Sequence, residues 1–149
     1  MSPDRGGAFD TLLGLVRLGV GGSAGDGRQF VSWIHDEDFV AAVRWLVARG
    51  DVEGVVNIAS PNPLPNAEFM RALRQAAGQP FGLPASRLML ETGAVFMRTE
   101  TELILKSRRV VPGRLLALGF AFKHPLWRDA ADDLYRRWLR ARHRQARVA

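Results

Sequence analysis

The residues best suited to chemistry fall in one stretch, Gly27-Arg28-Gln29-Phe30-Val31-Ser32-Trp33-Ile34-His35-Asp36-Glu37-Asp38. Arg28 follows a glycine, and a guanidinium on a glycine loop can fork onto a phosphate or carboxylate. A solvent-exposed charge would occupy the same position. Trp33 and Phe30 could form the wall of a pocket for a flat ligand, or simply be core aromatics on a short strand. His35 carries the one side chain that titrates near neutral pH, as a general base must. Its place at a strand-to-helix junction is met more simply by local hydrogen bonding. Asp36, Glu37 and Asp38 offer carboxylates to a metal, but no second ligand group has matching spacing. Capping and the helix dipole account for three acids at a helix start. Ser32 lacks a histidine–acid partner at any hydrolase spacing. Arg28, Trp33 and His35 are therefore the substrate-binding candidates, and no residue is assigned to catalysis, to a cofactor or to a metal.

These residues need elements to hold them. Apolar positions at Phe9, Leu12, Leu13, Leu15, Val16 and Leu18 predict a largely buried helix over Ala8 to Leu18, weakened by Gly14. Gly19 to Gly27 holds five glycines in nine residues, which calls for unusual backbone angles or a close backbone approach. Phe30 to Ile34 reads as a short strand. Asp36 is the expected N-cap of a helix to Arg49, with Phe39, Val40, Val43, Leu46 and Val47 as its apolar face and Gly50 at its end. Val55 to Ala59 reads as a compact buried strand, followed by a proline-rich turn. Asn66 is the expected cap of a helix with Phe69, Met70 and Leu73 inward and Gly78 at its end.

Past Pro84 the pattern predicts helices over Arg87 to Met97, over Glu100 to Ser107, and from Pro112 to Gly119. Phe120 to Phe122 alternates like a strand. Leu126 to Arg142 is amphipathic, with Leu126, Ala130, Leu134 and Trp138 on one stripe. Lys106, Arg108 and Arg109 form a basic cluster, suited to an anionic substrate or to a helix C-terminus. His124, beside Pro125, reads as a turn residue. The order helix, strand, helix, strand, helix over the first 80 residues fits the last units of a doubly wound sheet. Two strands alone make a poor sheet, so neighbours are expected from elsewhere.

The chain has 149 residues, 47% of them hydrophobic, which is enough for a core. It contains no cysteine, which excludes disulfide scaffolds, thiolate metal sites and cysteine nucleophiles. With no signal peptide, this predicts a cytoplasmic setting. No apolar run reaches the roughly 20 residues of a membrane helix. The net charge of +6 suggests nucleic acid until it is located. From Arg136 onward there are six arginines and no acids; removing them from the 21 basic residues leaves 15, equal to the 15 acids. The excess is thus a basic tail. Such a tail can bind polyanions without sequence preference, but a solvated, arginine-rich helix end is the simpler reading, and no nucleic-acid motif accompanies it. Nucleic acid and membrane are not expected partners.

Gly27 to Asp38 resembles the segment of extended short-chain dehydrogenase/reductases that reads glycine loop, aromatic, Ile-His, two variable positions, Asp. Val55-Val56-Asn57-Ile58-Ala59-Ser60 with its proline turn and the helix to Gly78 resembles the next landmark of those enzymes. Thr101 to Leu115 and Gly119-Phe120-Ala121-Phe122-Lys123-His124-Pro125 resemble a narrower branch: bacterial nucleoside-diphosphate-sugar epimerase-like proteins that end in a small domain of unknown function. The resemblance covers nearly the whole chain to about Trp138.

The resemblance implies an α/β fold, namely the incomplete C-terminal part of a Rossmann-like structure with a helix-rich substrate-side subdomain and few short strands. It implies three parts: 1–85, the last epimerase-domain units with the substrate loop; 86–138, a small helical C-terminal domain; and 139–149, the basic tail. Family members bind NAD(P) through a glycine fingerprint after the first strand and use a Tyr with a Lys four residues on. Here Gly19 to Gly27 follows a helix and precedes a strand, the reverse of the required order. The single tyrosine, Tyr135, is followed at that spacing by Leu139. The expectation is a substrate-binding piece, from a truncated, late-started or split gene, that binds no cofactor and does not catalyse alone. It would associate with an N-terminal cofactor-binding half or with itself. Sugar-nucleotide epimerases often have an arginine where this chain has Val31, which counts against a nucleotide-sugar substrate, although Arg28 could reach the same region. The alternative is a free-standing interaction or regulatory module with a basic, polyanion-binding tail.

Overall fold

The computed structural model describes residues 1–83 and 107–146. Its elements in chain order are α1 (Ala8–Arg17), β1 (Phe30–Val31), α2 (Asp36–Ala48), β2 (Leu64–Pro65), α3 (Asn66–Ala76), α4 (Gly113–Ala117) and α5 (Trp127–Ala146). The expected helices over Arg87 to Met97 and Glu100 to Ser107, together with Lys106, lie outside the described residues apart from Ser107.

Helical periodicity fixes the main core. α1 buries Phe9, Leu12, Leu13 and Val16, and α3 buries Phe69, Met70 and Leu73, each set spaced to lie along one face. α5 closes over them with Trp127, Ala130, Ala131, Leu134 and Trp138, and Trp33 joins this cluster from the end of β1. Small residues at Ala130 and Ala131 let α5 approach closely. Aromatic rings then fill the seam: Phe69 stacks on Trp127 at 3.9 Å, and Trp33 meets Trp127 edge-on at 5.0 Å. A second, smaller cluster joins Ala42 of α2 to Leu115 of α4 and Phe120, with Trp45, Leu46, Ile58 and Phe122 packed around it.

The fold is a partial α/β Rossmann-like structure, helix-rich with a two-stranded sheet. The ladder is antiparallel, Phe30 opposite Pro65 and Val31 opposite Leu64. The expected strand over Phe30 to Ile34 shortens to two residues because, among the described residues, only these find a ladder partner. The run Val55 to Ala59 is not a strand, and Val55 is 85% exposed. β-Branched residues favour a pleated surface only where a neighbour completes it. Phe120 to Phe122 is likewise not a strand; Phe120 stands edge-on to both Trp45 and Phe122.

Three helix details differ from expectation. His35, not Asp36, is the N-cap of α2, its Nδ1 accepting the Glu37 amide at 3.2 Å. Asn66 is the first helical residue of α3 rather than its cap. Instead, carbonyls of the segment just before β1 receive the first amides of α3: Asn66 donates to Gln29 and Ala67 to Gly27. On α5, Leu126 is 52% exposed and Trp127 takes the buried position.

α2 departs most. Its inward side is Asp38, Ala42, Trp45 and Leu46. The residues Phe39, Val40, Val43 and Val47, expected to face the core, are 47, 45, 36 and 81% exposed. The helix is apolar on two sides, and the described residues cover one of them.

Candidate functional site

A cavity of about 400 Å³ opens between α1, β1, α3 and the Ser107–Val110 segment. Its wall is made chiefly by Leu12, Trp33, Ile34, Ile58, Phe69 and Met70, with Ser32, Asn66 and Arg108 the polar members. Trp33 is both core and wall: it is 4% exposed and its Nε1 donates to the Asn62 carbonyl at 3.0 Å.

Ser32, which no hydrolase pattern claimed, clips one side of the cavity. Its Oγ donates to the Arg108 carbonyl at 2.6 Å and accepts the Val110 amide at 2.9 Å. The Arg108 amide donates to the Phe30 carbonyl, and the Phe30 amide donates to Ser107 Oγ. The 107–110 segment therefore lies along β1, and Arg109 comes over the Phe30 ring, 4.7 Å from its centroid.

The glycine loop behind this wall needs both features that glycine offers. Gly27 has φ +71°, and a Cβ there would lie 2.9 Å from Cβ of both Ala67 and Ser23. At Gly21 a Cβ would meet the Cγ2 of Val16 at 2.5 Å. The close approach is to the protein's own helices. Asn66 Oδ1 pins the loop by accepting the Ala24 amide at 2.8 Å. Arg28 is exposed, its backbone amide turned to Asp26 Oδ1, and it is not among the residues lining the cavity.

His35 also lies outside the cavity wall. It is fully buried beside the first turn of α2. His124 is no simple turn residue: its ring stacks on His35 at 3.9 Å and its Nε2 lies 3.2 Å from Glu37. Because His35 Nδ1 accepts the Glu37 amide, the ring proton belongs on Nε2, which faces Asp133 Oδ2 at 3.3 Å. Burial pushes the His35 imidazole below its ordinary value, and the neighbouring His124 and Arg137 act the same way against Asp36 and Asp133. Arg137 of α5 forks onto Asp36 at 2.8 and 2.6 Å. Burial alone would raise the Asp36 carboxyl, but the Arg137 hydrogen bonds and charge bring it below the ordinary range. Hydrogen bonds from Lys123 and His124 hold Glu37 down at about 2.

Asp38 had no assigned role beyond the helix dipole. It is 2% exposed and accepts the backbone amides of Lys123 at 2.8 Å and His124 at 2.9 Å. The Ile-His-x-x-Asp pattern thus has a structural meaning. The histidine caps α2 and the aspartate staples the 123–124 loop to it.

His35, His124 and Asp133 are the described residues that could offer a metal three ligand atoms, all within 4.8 Å of one another. Two features oppose an ion. Stacked imidazoles, 25° apart, send their lone pairs along near-parallel lines instead of converging. The Arg137 guanidinium, 3.6 Å from Asp133, already supplies the local positive charge. No described helix is long and apolar enough to cross a membrane.

Residues 86–134 match a family model described as a domain of unknown function, DUF1731. An epimerase family protein of Staphylococcus epidermidis is 37% identical over 131 residues, covering 88% of this chain and 43% of that protein. The epimerase family protein SDR39U1 of Bos taurus is 37% identical over 121 residues, 80% of this chain and 40% of the relative. Among solved structures, human epimerase family protein SDR39U1, isoform 2, with NADPH matches at a TM-score of 0.77 and 32% identity, covering 89% of this chain and 44% of that one. The chain thus spans about two fifths of the length of the relatives it matches.

Proposed function

We propose that this chain, which corresponds to the C-terminal part of an epimerase-family protein of the extended short-chain dehydrogenase/reductase type, supplies the substrate-facing surface of an NAD(P)-dependent oxidoreductase. The cavity beside Trp33 is that surface. Coenzyme, tyrosine and lysine come from the nucleotide-binding half. The observation that carries this reading is the likeness to the NADPH-bound human protein over 89% of this chain but 44% of the other. The division into epimerase-domain units (1–85), small helical domain (86–138) and basic tail (139–149) belongs to the same reading.

The open side of α2 supports it. Phe39, Val40, Val43 and Val47 make an apolar stripe on a helix already packed on its other side, and a helix apolar on both sides is one that is normally covered on both. The occupant we assign is the nucleotide-binding half. Of the six arginines from Arg136 onward, two already have partners, Arg137 on Asp36 and Arg142 over the Trp138 ring, 4.2 Å from its centroid and 3.9 Å from Asp10.

Thermal melting of the chain with NADPH, alone and mixed with the N-terminal half of the Staphylococcus epidermidis relative, tests the proposal. NADPH raises the melting temperature of the mixture and leaves the chain alone unchanged. Val43→Asp abolishes the gain in the mixture without lowering the melting temperature of the chain itself. A mixture indifferent to NADPH would overturn the reading.

A further inference from the structure

We infer that the cavity takes an apolar molecule carrying a single anionic group, such as an aromatic or aliphatic carboxylate, rather than a polyhydroxylated sugar. This rests on the reading of the cavity as a substrate surface and adds the substrate's chemistry. A sugar presents hydroxyls on every side, and each one buried without a partner is costly. The wall has few partners to give. Ser32 Oγ is spent on Arg108 and Val110. Trp33 Nε1 is spent on Asn62. The oxygen of Asn66 is taken by the Ala24 amide, leaving its NH2 group as a donor. The Met1 ammonium gives one of its three protons to the Ile34 carbonyl at 2.5 Å. Apart from Arg108, the other described side chains of the wall are apolar, and a wall of that kind with a few polar anchors selects an apolar body.

One charged side chain remains. Among the described residues, Arg108 is the sole charged side chain lining the cavity; it is exposed, and its guanidinium has no partner among them. Its backbone is fixed by the Phe30 and Ser32 bonds, so the base of the side chain is positioned while its end is free. A free guanidinium at the rim of an apolar cavity is a fork for a carboxylate or similar anion. Volume agrees, since about 400 Å³ lies within the range of small-ligand pockets.

Calorimetric titration of the full chain with 2-naphthoate, 2-naphthol and UDP-galactose tests this directly. 2-Naphthoate binds at least tenfold tighter than 2-naphthol, and UDP-galactose gives no saturable heat. Arg108→Ala removes the preference for the acid. Ala8→Trp, at an exposed wall position on α1, blocks the cavity and weakens both naphthyl ligands at least tenfold. The inference falls if naphthoate does not bind, if acid and alcohol bind equally, or if the nucleotide sugar binds tighter. It also falls if adding the nucleotide-binding half expels naphthoate, since the cavity would then be filled by protein. NADPH-dependent stabilisation of the mixed halves needs no substrate, so its success or failure reports on the proposed function separately.

Discussion

Replacing Asp38 reports on the link between the Ile-His-x-x-Asp segment and the C-terminal unit. Its carboxylate is 2% exposed and makes two charge-assisted bonds, to the Lys123 and His124 amides. Hydrogen bonds to a charged group contribute roughly 1.5–3 kcal/mol each, and an orphaned buried donor costs a comparable amount. Asp38→Asn keeps one acceptor and turns an NH2 toward the other amide, so about 2–3 kcal/mol of stability is lost. Asp38→Ala removes both acceptors and leaves two orphaned donors, a loss of about 4 kcal/mol. Against a typical total of roughly 5–15 kcal/mol these are large effects. Urea unfolding followed by circular dichroism measures them, and the slope should stay unchanged if only stability has moved. Hydrogen exchange localises the effect: the Lys123 and His124 amides should exchange about a hundredfold faster in Asp38→Asn, the factor equivalent to about 2.7 kcal/mol. A loss below about 0.5 kcal/mol, with those two amides still protected, would refute the staple.

Acid should weaken the fold from the same region. The folded His35 value lies below the ordinary 6.5, so its contribution is present above about 6.5 and is lost as pH falls through the lowered value. Protonating Nδ1 also takes away the acceptor of the Glu37 amide. His35→Asn keeps a capping acceptor, so the melting temperature between pH 7 and 5 should flatten. Glu37, lowered from 4.5 to about 2, adds stability above 4.5 that is lost toward pH 2. Its side chain is 40% exposed, which limits that contribution to about 1 kcal/mol. Ser32→Ala cuts both bonds to the 107–110 segment and should cost about 1–2 kcal/mol in urea unfolding, with faster exchange at Val110. Gly27→Ala combines a positive φ with a 2.9 Å approach to Ala67 and should cost about 3 kcal/mol by the same measurement.

The residues differ in how openly they announce their places. The buried faces of α1 and α3 are legible because their packing repeats with the helical period. Trp33 and the anion-suited Arg108 were visible as residue types. That α1 and α3 would complete a cavity around Trp33 is a tertiary fact with no local signal. Val55 to Ala59 reads as a strand by composition, but a ladder needs a partner and composition does not supply one. The apolar residues of α2 are plain in the sequence; which of its two sides meets the core depends on α4 and Phe120, more than sixty residues on. Asp38 stayed hidden because the helix dipole already explains an acid in a first turn. Its contacts lie 85 and 86 residues away. His124 was hidden by Pro125, which makes any neighbour look like a turn.

The account stands most directly on a fluorescence titration of NADPH with the purified chain, repeated with the nucleotide-binding half of a relative present. The prediction is no saturable coenzyme binding by the chain alone and stoichiometric binding once the two are mixed. Saturable NADPH binding by the chain alone, or none in the mixture, would contradict it.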